Sequence, residues 1–201
     1  MQRFRLRYDT TVWTRNLILF AVTLFLARFG QGLLDGTRMN FFIETLDLTE
    51  GQVLWLEGVR ELPGLGLIFL AALTMRLPLM RQGTLALFLM GVGYFVHAFV
   101  GSYSALLLAV VAGSFGFHLW APLNSAIGLA LSNKQNAGYV LGALGSVGSL
   151  AGIAGMGAIS LISGLLPEMP LTTYYVVGGL VIVVSSLMLY LLPKHLGTTE
   201  V

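Results

Sequence analysis

Arg28, Gln31, Asp35 and Arg38 recur every three or four residues inside the first long apolar stretch, residues 16–42. On a helix such residues share one face. An Arg or Asp near the centre of a membrane-spanning helix costs about 2.5–3.5 kcal/mol on insertion scales, so this face must line a cavity or meet partners. The second apolar stretch, residues 53–73, supplies Glu57, Arg60 and Glu61. Three acids and three bases on adjoining segments form a candidate charge network, and ionisable groups at membrane depth mark solute paths and proton relays. Arg28 and Arg38 suit an anionic group, Gln31 suits the orientation of polar atoms, and a carboxylate beside an Arg can exchange that pairing for a proton.

The elements that position these groups are spanning helices. Of 201 residues 56% are hydrophobic and 10% are charged, against about 25% charged in an ordinary soluble domain, and the mean hydropathy is +0.84. A bilayer core takes about 20 mostly apolar residues per helix. The loop signals cut the chain into six such pieces: 16–42, 53–73, 84–100, 105–131, 138–165 and 172–192. The expected organisation is a short N-terminal segment (1–15), a six-helix membrane domain (16–192) and a C-terminal tail (193–201). Short loops make sequence neighbours antiparallel.

Orientation follows the distribution of Lys and Arg. With a cytoplasmic N-terminus, Arg3, Arg5, Arg7, Arg15, Arg76, Arg81, Lys134 and Lys194 all fall inside, and the outer loops carry Glu44, Asp47, Glu50 and Glu168. Both termini are then cytoplasmic, in a multi-pass protein of a plasma or inner membrane. At about 1.5 Å per residue, depth pairs Arg28 with Glu61 and Arg38 with Glu57, leaving Asp35 to Arg60.

The fourth segment reads as a second cavity helix: it holds Ser114, His118, Trp120, Pro122 and Asn124. Asn124 would orient polar atoms, Trp120 would pack on a ring or alkyl part, and His118 would join solute binding or proton coupling. The third and sixth segments are apolar apart from His97, Ser185 and Ser186, and suit lipid. In the fifth, Gly138, Gly142, Gly145, Gly148, Gly152 and Gly155 form a small-residue stripe for close helix packing.

Several function classes fall away. The basic residues lie in loops and form no patch for nucleic acid. Cysteine is absent, so there is no disulfide or thiolate site, and His97, His118 and His195 lack ligand spacing; no metal or cofactor is expected. Arg3, Arg5 and Arg7 before an apolar stretch imitate a signal peptide, but the stretch is too long and lacks a cleavage site. Ser114 one turn from His118 invites an intramembrane serine protease. The rhomboid-like pattern, however, is a Gly-x-Ser-Gly serine with a His in the sixth span, and here Phe115 follows Ser114 and the sixth segment holds no His.

The order of segments resembles one half, N-terminal-like, of a major facilitator superfamily transporter. The stretch Gly113-Ser-Phe-Gly-Phe-His-Leu-Trp-Ala-Pro122, the basic loop Asn133-Lys-Gln-Asn136 and the helix start Gly138-Tyr-Val-Leu-Gly142 are similar to the family's fourth-to-fifth-span region, and Leu48-Thr-Glu-Gly-Gln-Val53 to its entry into the second span. The family's loop between the second and third spans carries a Gly-x-x-x-Asp-Arg-x-Gly-Arg-Arg type sequence. Here Arg76, Arg81 and Gly83 keep its basic end, without the Asp and the first Gly. The resemblance implies an all-α membrane fold of two inverted three-helix repeats, with Phe29-Gly30 and Phe115-Gly116 as an echo between them.

It also implies secondary active transport of a small solute by alternating access, with two six-helix units forming the pathway. The second unit would be an identical chain in a parallel homodimer, a separate partner, or the remainder of a longer protein. An alternative is a membrane scaffold or assembly subunit that keeps the half fold without transport. In a plainer reading still, the six charges are static ion pairs that only fix helix packing.

Overall fold

A computed structural model describes residues 12–193. The expected tails, 1–15 and 193–201, lie almost wholly outside these residues, including Arg3, Arg5, Arg7, Lys194 and His195. The described chain is all-helical: α1 (Arg15–Asn40), a π-helical turn (Phe41–Thr45), α2 (Glu50–Leu65), α3 (Leu67–Thr74), α4 (Leu79–His97), α5 (Tyr103–Ala130), α6 (Ala137–Leu165) and α7 (Leu171–Tyr190).

Local chemistry sets the starts. Thr14 and Ser102 cap α1 and α5 by accepting from the amides of Leu17 and Ala105. Thr49 and Gln52 form a reciprocal capping box at α2, which satisfies two otherwise orphaned donors. Pro78 and Pro170 precede α4 and α7 in extended conformation.

Five helices are long and apolar enough to cross a membrane: α1 with its π-turn, α4, α5, α6 and α7. This is the composition of an integral membrane protein. The segment expected as a single second span, 53–73, is instead divided between α2 and α3. Pro63 has no amide hydrogen to give to the helix. Gly66 then closes α2 by donating to Leu62 O, and its own carbonyl starts α3 by accepting from Phe69 and Leu70. Beyond the break little is buried: Ile68, Phe69 and Leu73 are each at least 75% exposed.

In the bundle α1 packs on α6 and α7, α4 packs on α5 and α7, and α2 and α3 lie on α5. Glycines bring several backbones into contact. Gly32 of α1 faces Gly152 and Gly155 of α6, Gly30 of α1 faces Gly178 of α7, Gly93 of α4 faces Gly113 of α5, and Gly116 of α5 lies on Ala86 and Met90 of α4. A side chain at any of these four positions would enter a neighbouring backbone. The core between them holds Leu17, Phe20, Leu87, Met90, Ile127 and Ile182.

The glycine stripe of α6, expected to pack as one face, divides. Gly148 and Gly155 lie on the side turned to α1 together with the buried Val140, Leu144 and Ala151, and Gly152 borders them. Gly138, Gly142 and Gly145 have nothing within 4 Å. The buried side recurs at i, i+4, i+8, i+11 and i+15 from Val140, so a helix turning 100° per residue carries Gly138 and Gly142 to the other side and Gly145 to the flank that borders the Arg28 cavity.

Candidate functional site

The charged side chains on α1, α2 and α5 gather into two separate groups. In one group, called outer after the orientation expected from the Lys and Arg distribution, Glu57 of α2 is shared: its two oxygens lie 3.3 Å from Arg38 Nε and 2.9 Å from Arg60 Nη1. Arg38 also reaches Asp35 at 3.3 Å, and Arg60 donates to Glu61 at 2.9 Å. Glu61 in turn lies 3.5 Å from Nε2 of His118 on α5. The Arg38 Nε and His118 Nε2 contacts have ion-pair distances but lack hydrogen-bond alignment. Three carboxylates thus face two guanidinium groups and one histidine. His118 and Glu57 are the most enclosed members, Arg38 and Arg60 are about a third exposed, and Asp35 and Glu61 are over half exposed at the rim.

Two backbone features hold this group. Ser114 Oγ of α5 donates to the Arg60 carbonyl of α2, fastening the two helices at the network. Gly64 leaves room for the His118 ring, whose Cε1 lies only 2.8 Å from where a β-carbon would stand. Ser114 therefore spends its hydroxyl on a carbonyl, and His118 faces a carboxylate.

The second group is Arg28 and its surroundings. Its Nη1 donates to Gln31 Oε1 at 3.3 Å, and among the described residues it has no carboxylate partner. Gln31 is buried, and its amide nitrogen lies 3.4 Å from the Met90 sulfur on α4. This fixes the carbonyl end toward Arg28. The Arg28 stem runs along Gly148. Around it lies a cavity of about 180 Å³ between α1, α5 and α6, lined among others by Asn124, Ser125, Gly145 and Gly148. The cavity thus holds a guanidinium with no opposing acid among the described residues, while Asn124 donates to the Ala121 carbonyl and Ser125 to Asn124 Oδ1.

Of the three pairs expected from depth, Arg38 with Glu57 is present. Arg28 with Glu61 is not, because side chains lean toward the N-terminus of their own helix. On antiparallel neighbours Arg28 and Glu61 therefore lean toward opposite ends of the bundle, which separates groups whose α-carbons match in depth. Asp35 with Arg60 is also absent: Asp35 takes Arg38 one turn away, and Arg60 takes the two glutamates of its own helix. Trp120, expected to pack on a solute, lies in the core with its ring edge-on to Phe20. It stands two residues beyond His118, about 200° around the helix.

The sequence reading missed a third set of residues. Tyr94 and His97 of α4 and Tyr175 of α7 border the outer charge group across a cavity of about 20 Å³. Their signal was available: Tyr94 and His97 lie one turn apart in a segment otherwise read as apolar. Ser125, beside Asn124, was overlooked too. Neither protein-family models nor curated proteins give a significant match to this chain, so its function has to be argued from these side chains.

Proposed function

We propose that the chain is one six-helix unit of a major-facilitator-type secondary transporter, carrying a small solute with an anionic group by alternating access between two such units. The observation that carries this reading is Arg28: a guanidinium halfway along an apolar helix, held by Gln31, without an acid partner among the described residues and open to a cavity with Asn124 and Ser125. A static packing charge would be expected to pair. An uncompensated one at membrane depth is a binding device whose counter-charge is the cargo.

The arrangement of helices supports the inverted-repeat part of the reading. Exchanging the first three membrane segments with the last three turns the α1–α6 contact into α5–α2 and the α1–α7 contact into α5–α4, and returns α4–α7 to itself; all of these contacts occur. Gly30 on α1 and Gly116 on α5 then hold equivalent places against α7 and α4. Gly51-Gln-Val-Leu54 and Gly138-Tyr-Val-Leu141 become equivalent helix starts, each with a buried valine.

In this scheme the outer group is the proton-handling part, with Asp35 and Glu61 at its rim able to exchange a guanidinium or imidazole for a proton. The second unit is a parallel homodimer mate or a separate six-helix half, and the termini face the cytoplasm. A scaffold or assembly role is the second reading, favoured by the mutual pairing of the outer charges. The discriminating experiment uses the protein in lipid nanodiscs with phosphate, acetate, succinate and sulfonates as probes. At least one anion should raise the melting temperature of wild type and not of Arg28→Leu, and the same anion should enter proteoliposomes. Failure of every anion to do either, with stoichiometric capture of a larger assembly, would replace transport by the scaffold role.

A further inference from the structure

We infer that the small cavity between the outer charge group and the α4–α7 pair is a water site, and that one bound water ties Tyr94, His97 and Tyr175 to the carboxylates of α1 and α2. Tyr175 is 1% exposed. Its ring is packed between Phe41, at 4.1 Å between centroids, and His97, at 5.6 Å. Neither its hydroxyl nor that of Tyr94 hydrogen-bonds to any described residue, and both residues border the cavity. Both phenol groups face this space without a protein partner, and a water between them supplies one at a modest cost in immobilisation.

The donor and acceptor count closes on water. His97 is 2% exposed, and its Nδ1 lies 2.5 Å from the Gly93 carbonyl. A carbonyl only accepts, so Nδ1 carries the proton, and Nε2 of the neutral ring is an acceptor. A central water can accept from the two tyrosines, give one hydrogen to His97 Nε2 and give the other to Glu57 or Asp35, which border the same space. The volume of about 20 Å³ holds a single water, for which two to four polar partners suffice. The site adds α4 and α7, which carry no Asp, Glu or Lys, to the polar apparatus of the protein. It does not depend on transport, since it rests on hydroxyl groups and volume alone.

Hydroxyl-radical footprinting with mass spectrometry on the wild-type protein in nanodiscs tests it, because radicals formed on internal waters label side chains that bulk solvent cannot reach. Tyr175 should be oxidised severalfold faster than the comparably buried Phe20 and Trp120, and in Tyr175→Phe the rate at the half-buried Tyr94 should drop severalfold. Rates as low as those of Phe20 and Trp120 in wild type would show a dry cavity and overturn the proposal. Labelling that appears only after sodium is replaced by choline would overturn it in favour of a bound cation. Should Tyr175→Phe fail to fold, the wild-type comparison with Phe20 and Trp120 decides alone.

Discussion

Arg28 and Arg38 stand on the same face of one helix, and their surroundings are opposite. Arg38 is enclosed by Asp35 and Glu57, which in turn leads to Arg60, Glu61 and His118. Arg28 has an amide, a glycine and a cavity. A paired guanidinium contributes to holding helices together, because removing its acid leaves a charge in a low dielectric. An unpaired one contributes nothing comparable and is free to respond to a ligand. The contrast separates a group whose charges satisfy one another from one whose charge has no acid partner among the described residues, which is the part the proposed transport function would use.

The largest effect should come from the paired side. Glu57→Ala removes the acid shared by two arginines and should lower stability by about 3 kcal/mol, the lower end of the range for breaking an enclosed ion pair; thermal unfolding in nanodiscs measures it. Arg28→Leu should leave stability unchanged or raise it, and an equal loss in both variants would erase the contrast. On the unpaired side, Gly145→Leu should fold normally, since nothing lies within 4 Å of that position, yet abolish anion-induced stabilisation by filling the Arg28 cavity. An undiminished anion response would move the site elsewhere.

Smaller effects sharpen the boundary between the two groups. Gly64→Ala places a β-carbon on the His118 ring and should cost about 1 kcal/mol, as overpacking does, while shifting the imidazole resonances in NMR; silent spectra would mean that the ring was never confined there. A double-mutant cycle between Arg28 and Glu61 should show a coupling below about 0.5 kcal/mol, as for sites without shared partners. The same cycle between Arg38 and Glu57 should exceed it. Strong Arg28–Glu61 coupling would join the two groups into one.

The charged residues themselves were legible because their cost in lipid is large and their helical spacing is plain. Glu57 as a partner for Arg38 followed from depth alone. The other pairings did not, since counting α-carbons ignores the direction in which side chains lean, and on antiparallel helices that error doubles. The division of the second segment was hidden for a different reason. Hydropathy is blind to Pro63 and Gly66, which change hydrogen bonding without changing polarity. Tyr94, His97 and Tyr175 were overlooked because phenol and imidazole in an apolar run look like packing. Only the fold brings α7 against α4 beside the charges. Composition located the glycines of α6, but rotation about the helix axis, which no count supplies, decided which of them met α1.

The divided second segment also bears on how the protein reaches its membrane. With Glu57, Arg60 and Glu61 on a sixteen-residue helix and only eight residues beyond the break, this piece is a poor substrate for the translocon on its own. It gains a favourable environment only when Arg38 of α1 and His118 of α5 stand beside it. Integration of this region is therefore expected to be a collective event, in which α2 and α3 settle only once α1 and α5 are both in place.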